Sequence, residues 1–363
     1  MNRDACALAI DTHRHLDWDN LRRVAVFRAL NLGDMLCAVP ALRALRRKLP
    51  SAHITLIGLE SAVPVLQHFP GYVDELVIFP GDPAFPEKPV ETAKLPGFYQ
   101  DMQARDFDLI VQLHGSGPRS NEIVEAMAPR HWVGFVSSQA AATPGRLMPW
   151  PDHLHEIHRY LALFNYIGVE ANDDDLGFAS NAQDAQRARE MAVGAGLQPE
   201  RTIILHVGAR LPSRRWPAVR YAAVAETLLD EGWQVALTGS PGEADIVREV
   251  ESALTDRVVN LCGNTELGVL AELLRMCRLL ICNDTGISHV AACVGMRSVV
   301  IASGSDVKRW APLNKDLHRV LYAPMACRPC AYHECPIGHP CALAIEVQDV
   351  LAEVHHQLHV GGG

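Results

Sequence analysis

Short apolar runs alternate with stretches of helical periodicity along most of the chain. Val24–Leu30, Ile54–Gly58, Glu75–Phe79, Leu109–Leu113 and Trp132–Phe135 read as one series of strands. A second series follows at Thr202–Val207, Gln234–Thr238, Val258–Leu261, Leu279–Cys282, Ser298–Ala302 and His318–Tyr322. Helical patterns lie between them at 36–48, 217–231, 266–277 and 342–357. In 266–277, Leu267, Leu270, Leu274 and Cys277 fall on one helical face, and Thr265 is the expected N-cap. Strand–helix alternation predicts parallel sheets covered by helices. The pattern occurs twice, separated by about 168–200 with its "ANDDD" run and the charged helix around Gln183–Met191. The expected fold is therefore α/β, with two Rossmann-like domains around a central cleft. Their predicted limits are 1–180 and 195–345, with 346–363 forming a C-terminal helix and tail. Residues 80–97, which hold Pro80, Pro83, Pro86, Pro89 and Pro96, read as a long loop, and Gly361, Gly362 and Gly363 as a frayed end.

Length and charge narrow the function classes. A chain of 363 residues suits two domains rather than one. Its net charge of −9, from 33 basic and 42 acidic residues, argues against a nucleic-acid binder and gives no general attraction to anionic membranes. A local basic patch at Arg43, Arg46, Arg47 and Lys48 leaves room for peripheral membrane contact. No apolar run approaches the roughly 18 residues of a spanning helix, and Ala5 to Ile10 is too short for a secretory core. The expected compartment is the cytoplasm. There the ten cysteines are not a disulfide framework by default. Cys262, Cys277, Cys282 and Cys293 read as small buried residues.

Four stretches carry chemistry, and each follows a predicted strand. In "CNDTGISH", Asp284, Thr285 and Gly286 lead from a strand into a helix whose first turns carry His289. A helix N-terminus there offers free N–H groups and partial positive charge to a phosphate. An Asp N-cap beside a turn glycine explains the same residues. In "RALNLGDMLCAVP", Gly33 allows a tight turn and Asp34 opens a helix, as an N-cap or as a carboxylate that takes a proton from an incoming hydroxyl. The segment lacks the GxGxxG of nicotinamide and flavin enzymes. In "LHVGARLPSRRWP", Arg210, Arg214 and Arg215 either form a solvated face or neutralise phosphates, and Pro217 sits near the first turn of a helix. In "LTGSPGEAD", Glu243 is either a helix-start residue or an acceptor for ribose hydroxyls.

Together these stretches resemble glycosyltransferase family 9, typified by the ADP-heptose:lipopolysaccharide heptosyltransferases. The resemblance runs from about residue 22 to 355, with "NLGDMLCAVPALRALRRKLP", "LHVGARLPSRRWP", "LTGSPGEAD" and "CNDTGISHVAACVG" in the family's order. It implies a GT-B fold and an inverting transfer that uses no catalytic metal. It makes Asp34 the catalytic base and gives the donor site to Arg214, Glu243, Asp284, Thr285, Gly286 and His289. Arg214 stands where the family often has lysine. His114 and Arg119, in "HGSGPRS" at another strand end, are placed on the acceptor side. The implied donor is ADP-heptose, and the acceptor is a lipopolysaccharide core, a protein or a small molecule. A nucleotide-sugar epimerase or hydrolase, or a non-catalytic nucleotide-sugar binder, are the competing readings on the same fold.

"CRPCAYHECPIGHPC" stands apart. Cys327, Cys330, Cys335 and Cys341 have the spacing C-x2-C-x4-C-x5-C, with His333 and His339 among them. Four thiolates in a reducing compartment suit a structural zinc or iron. Reduced thiols or a disulfide pair fit the same spacing. A metal there is expected to take no part in sugar transfer.

Overall fold

The computed structural model of the protein describes residues 16–254 and 257–360. The Ala5 to Ile10 run and the three terminal glycines lie outside them. Twelve strands form two sheets of six. The first holds β1 (Arg23–Phe27), β2 (His53–Gly58), β3 (Glu75–Ile78), β4 (Leu109–Gln112), β5 (His131–Val136) and β6 (Leu147–Pro149), in the order β3-β2-β1-β4-β5-β6. The second holds β7 (Thr202–His206), β8 (Gln234–Thr238), β9 (Val259–Asn260), β10 (Leu279–Asn283), β11 (Ser298–Ile301) and β12 (His318–Leu321), in the order β12-β11-β10-β7-β8-β9. All pairings are parallel. Counted within each half, both orders are 3-2-1-4-5-6, the doubly wound arrangement. The chain reverses direction across the sheet between β1 and β4, and again between β7 and β10. Ligands of such sheets bind beyond the carboxyl ends of the strands at those two points.

Alternating strands and helices are explained by burial on both sheet faces. Val24, Ala25, Val26 and Phe27 are all fully buried, as are Leu279, Leu280, Ile281 and Cys282. One apolar cluster runs through both halves. It joins Met35, Leu36 and Leu42 of the first to Leu274, Ile287 and Val290 of the second. Each such side chain contributes about 2 kcal/mol on burial. The halves are thus held by packing as well as by polar contacts.

Several local expectations are corrected. Glu266, not Thr265, is the N-cap of the Leu267–Met276 helix, with no side-chain cap bond among the described residues. The 36–48 pattern is two helices, Leu32–Leu36 and Val39–Lys48, because Pro40 sets a new helix start. Pro217 is the N-cap of Ala218–Asp230. The 80–97 loop ends early, since the Leu95–Ala104 helix takes Pro96 into its first turn. β6 and the Glu156–Tyr166 helix had no place in the sequence pattern. The 342–357 pattern splits into Pro340–Leu343 and Val347–Val360, and the longer helix packs on the second sheet, with Val350, Leu351 and Val354 in its core. The basic patch is partly neutralised, with Arg43 2.8 Å from Asp173 and Arg46 paired to Asp74.

Candidate active site

Most of the residues singled out in sequence fall at the two reversal points, while Glu243 follows β8. Asp34 follows β1 and His114 follows β4. Arg214 follows β7, and Asp284, Thr285 and Gly286 follow β10. The halves meet there. A Cβ on Gly33 would stand 2.9 Å from the Cα of Gly286 and 3.4 Å from Cδ2 of His289. Real Cβ atoms do not come that close to backbone, so only glycine at 33 lets the Leu32–Leu36 helix abut the start of the Gly286–Val294 helix. Gly33 is therefore needed for close approach and not for a turn. Gly286 itself has room, since its added Cβ would meet Gly33 atoms no nearer than 3.5 Å.

Asp34 is the third residue of its helix, and Asn31 is the N-cap. Its carboxyl is thus not spent on capping. Burial raises it to about 6, against the pull of Arg28 and Arg309 and with a push from Glu156 and Glu87. The fully buried Arg28 holds its backbone. Arg28 Nη2 and Nε donate to the Asp34 carbonyl at 2.6 and 3.2 Å, while Nη1 donates to the Leu113 carbonyl and the Tyr160 hydroxyl, both at 2.6 Å.

On the other half, Asn283 ties the turns together. Fully buried, it donates from Nδ2 to the Val207 and Gly208 carbonyls at 2.8 and 3.2 Å and accepts from the Trp216 N–H at 2.8 Å. Thr285, not Asp284, is the N-cap of Gly286–Val294, and its hydroxyl makes no cap bond among the described residues. Arg214 lies over Gly304, whose added Cβ would be 2.8 Å from Arg214 Nη1. Arg214 Nη2 donates to the Cys330 carbonyl. Among the described residues, the buried Arg214 Nη1, Ser303 Oγ and Ser305 Oγ have no hydrogen-bond partner. Buried polar groups are rarely left so, and a cation beside two hydroxyls suits an anionic ligand. Arg215 instead donates to the Ala209 carbonyl at 2.9 Å, and Arg210 is exposed. Of the three, Arg214 is the one with a buried nitrogen left without a partner among the described residues.

Glu243 makes a capping box: Oε2 accepts from Ser240 N–H at 2.7 Å and Ser240 Oγ at 2.8 Å. The helix-start reading is thus realised. The same carboxylate also lies against Gly208, where an added Cβ would be 2.2 Å from Oε1. His289 is buried on the boundary, with Nδ1 3.8 Å from Cys37 Sγ and its ring 6.5 Å from Trp310. Burial lowers it, so the imidazole is held neutral.

The acceptor-side candidates split. His114 accepts the Ala29 N–H at Nδ1, 3.1 Å away, and packs against Phe27 and Phe85 at 5.3 and 4.0 Å. Burial and nearby Arg28 push it down to about 3, so it is a neutral core histidine beside the site. Arg119 is bound by Asp82 at 2.7 Å and Glu122 at 2.7 Å and anchors the proline-rich loop. The functional neighbours that sequence reasoning missed are Arg28, Asn283, Glu156 and Arg309. Arg28 stood inside a predicted strand, and a charged residue in an otherwise apolar run was the one signal available.

Among the described residues the four cysteines of the last segment are not gathered as one ligand set. Cys327, Cys330, Cys335 and Cys341 are free, and Cys335 Sγ accepts the His339 N–H at 3.2 Å. Among the described residues no group of three or more His, Cys, Asp or Glu converges on a metal-sized position. The donor chemistry fits zinc or iron; the placement does not gather it. The segment instead braces the site: Cys330 N–H donates to the Gly304 carbonyl at 2.9 Å and Arg328 to the Ser305 carbonyl at 2.9 Å.

Comparison with known proteins accords with this geometry. Two doubly wound sheets with facing turns define a GT-B architecture. The family model for glycosyltransferase family 9 (heptosyltransferase) matches residues 97–340, and the chain belongs to that family. A lipooligosaccharide heptosyltransferase 2 of Haemophilus influenzae is 31% identical over 173 residues, covering 44% of this chain and 50% of that protein. The chain thus spans about half the length of the curated relative it matches. A family 9 glycosyl transferase from Veillonella parvula shares the fold with a TM-score of 0.76 at 21% identity, covering 95% of this chain and 98% of its own. The E. coli ADP-heptose lps heptosyltransferase II does so at 0.72 and 21%, covering 94% of this chain and 100% of its own. Asp34 lies outside the matched residues, whereas Arg214, Glu243 and the Asp284–His289 turn lie within them.

Proposed function

We propose that the protein is an inverting glycosyltransferase that moves a heptose from ADP-heptose to a hydroxyl of lipopolysaccharide core. The observation that carries this is the Gly33–Gly286 contact, which sets the turn bearing Asp34 against the start of the Gly286–Val294 helix. In this reading the diphosphate lies at the Thr285–Gly286 N-terminus with Arg214 Nη1, and Glu243 takes the ribose. Asp34 removes the proton from the acceptor hydroxyl, whose oxygen forms the bond to the anomeric carbon as the bond to ADP breaks on the opposite face. The helix N-terminus and Arg214 stabilise the leaving charge. A carboxyl raised to about 6 is well matched to general-base work near neutral pH. His114 and Arg119 shape the acceptor side from beneath, through the proline-rich loop.

The relatives are named as heptosyltransferases of lipooligosaccharide or lipopolysaccharide, one of them with ADP-heptose, which supports the donor and acceptor class. Among the described residues no helix is long and apolar enough to cross a membrane. That is compatible with work in the cytoplasm and peripheral contact with a lipid-borne acceptor. A structural zinc or iron is proposed separately and would have to draw the four cysteines together. Elemental analysis of protein purified without added metal tests it, and less than about a tenth of an equivalent rules it out.

The test of function offers ADP-heptose with heptose-deficient lipopolysaccharide core, a protein extract or small hydroxyl acceptors, and reads products by mass spectrometry. Heptosylated core is expected. Transfer to the other acceptors alone would replace the acceptor. Donor turnover without acceptor would favour an epimerase or hydrolase, and donor binding with no turnover a non-catalytic binder.

A further inference from the structure

Glu156 opens the Glu156–Tyr166 helix and is 1% exposed. A carboxylate so deeply buried needs paired charge and hydrogen bonds to stay ionised. Its partners come from three directions. Arg159 Nη1 at 2.8 Å and the Tyr160 hydroxyl belong to its own helix. Arg28 Nη2, at 3.9 Å, comes from the end of β1. Arg309, on the Val307–Trp310 helix of the second half, adds two parallel bonds, Nε to Oε2 at 2.7 Å and Nη2 to Oε1 at 3.1 Å. This fork-to-fork pairing fixes direction as well as distance. Arg309 is itself held over Trp310 at 4.4 Å and Trp150 at 5.7 Å. The neighbouring His155 repeats the link, with Nε2 2.9 Å from the Ala311 carbonyl.

Arg159 and Tyr160 alone would give the carboxylate two local partners. The additional partners are what tie it to the site. Through Arg28 it touches the guanidinium that grips the Asp34 carbonyl. Through Arg309 it touches the half that carries Gly286. We propose that Glu156 is a positioning residue for Asp34: paired with Arg309 across the boundary, it fixes where the Asp34 turn stands against the Gly286 helix and which charges Asp34 sees. This rests on the reading of Asp34 as the base.

The charged groups facing Asp34 are Arg28 from β1, Glu156 from its helix, Arg309 from the second half and Glu87 from the proline-rich loop. Cys37 lies one turn on, against His289, whose nearest charges are Asp284 and Glu156. Burial and the two carboxylates raise Asp34, and the two arginines lower it. Removing the charge of Glu156 must therefore lower the Asp34 midpoint, and removing that of Arg309 must raise it. A role in stability alone, with neither charge felt at Asp34, would loosen the fold in both variants without opposite shifts; the fall in turnover at unchanged ADP affinity then separates positioning from mere proximity of charge.

The test uses the full chain labelled with carbon-13 at aspartate carboxyls, with Asp34 assigned by its loss in Asp34→Asn. Wild type should titrate near 6, and the midpoint should fall in Glu156→Gln and rise in Arg309→Gln. Arg309→Lys should return it toward wild type. Turnover with ADP-heptose should fall about 10-fold or more in both glutamine variants, while ADP affinity by calorimetry stays within about 3-fold. Shifts of the same sign, or unmoved midpoints with turnover within about 2-fold, overturn the proposal. If Glu156→Gln does not fold, the rise in Arg309→Gln decides alone. The titration needs neither donor nor acceptor, so failure of heptosyl transfer and failure of this proposal are told apart.

Discussion

The two turns that meet at Gly33 and Gly286 are built alike and furnished differently. Each leads from the strand end at a reversal point into a short helix. Around Asp34 the buried charges answer one another: Arg28 and Arg309 face Asp34 and Glu156, and Arg159 completes the set. Around Thr285 the buried donors do not, for Arg214 Nη1, Ser303 Oγ and Ser305 Oγ have no partner among the described residues. The first turn is organised around its own carboxylate, which the proposed function makes the base. The second, in that proposal, meets the charge that a ligand brings. Catalysis by preorganised electrostatics needs both kinds of turn.

The largest consequence of that contrast lies at Asp34. Asp34→Asn should lower transfer by about 10³-fold, since a general base contributes about 10²–10⁴, and leave ADP affinity by calorimetry nearly unchanged. Gly33→Ala attacks the contact itself. A Cβ 2.9 Å from Gly286 Cα must push the turns apart. Transfer should then fall by about 10²-fold, as a displacement of the order of 1 Å does elsewhere, while the melting temperature moves by only a few degrees. Arg214→Ala should act on the other turn, weakening ADP by about 10–100-fold, as loss of a charged hydrogen bond does, without moving the pH profile. UDP or GDP binding more tightly than ADP would overturn the donor assignment.

The smallest effect separates the turns by stability. Asp34 is raised from its ordinary 3.8 to about 6 by burial. Its folded-state pKa lies above the unfolded value, so the neutral form favours folding. That contribution is fully present below about pH 3.8 and is lost as pH rises through 6. Asp34→Asn should therefore stabilise the fold by about 1–3 kcal/mol at pH 7.5 and by almost nothing at pH 4. Transfer by wild type should rise through the same interval, since the base acts ionised. Equal denaturation midpoints for the two proteins at pH 7.5 would mean that Asp34 is not desolvated.

Both sheets were legible because fully buried parallel strands leave long apolar runs, and all eleven expected strands are present. β6 is three partly buried residues ending at Pro149, which leaves no apolar run and reads as a loop. Helix starts were read less well. Asn31, Thr285 and Glu266 are the caps, where Asp34, Asp284 and Thr265 were the chemically attractive choices. Propensity for capping cannot tell which residue the sheet geometry leaves at the helix start. The candidate turns were picked out because each sets a glycine beside a carboxylate just after a strand, a pattern that a helix cap explains as well. Glu156 and Arg309 were not, because an ion pair 153 residues apart leaves no local signature. The cysteine spacing suggests a structural metal, which elemental analysis tests, and the backbone of that segment braces Gly304 and Arg214.

The central claim is that one base and one diphosphate site meet to perform a single displacement. The most direct measurement is the anomeric configuration of the product, read by NMR on the linkage made by wild type from ADP-heptose. The account predicts inversion relative to the donor, because the acceptor oxygen deprotonated at Asp34 enters opposite the leaving ADP. Retention of the donor's configuration would contradict it.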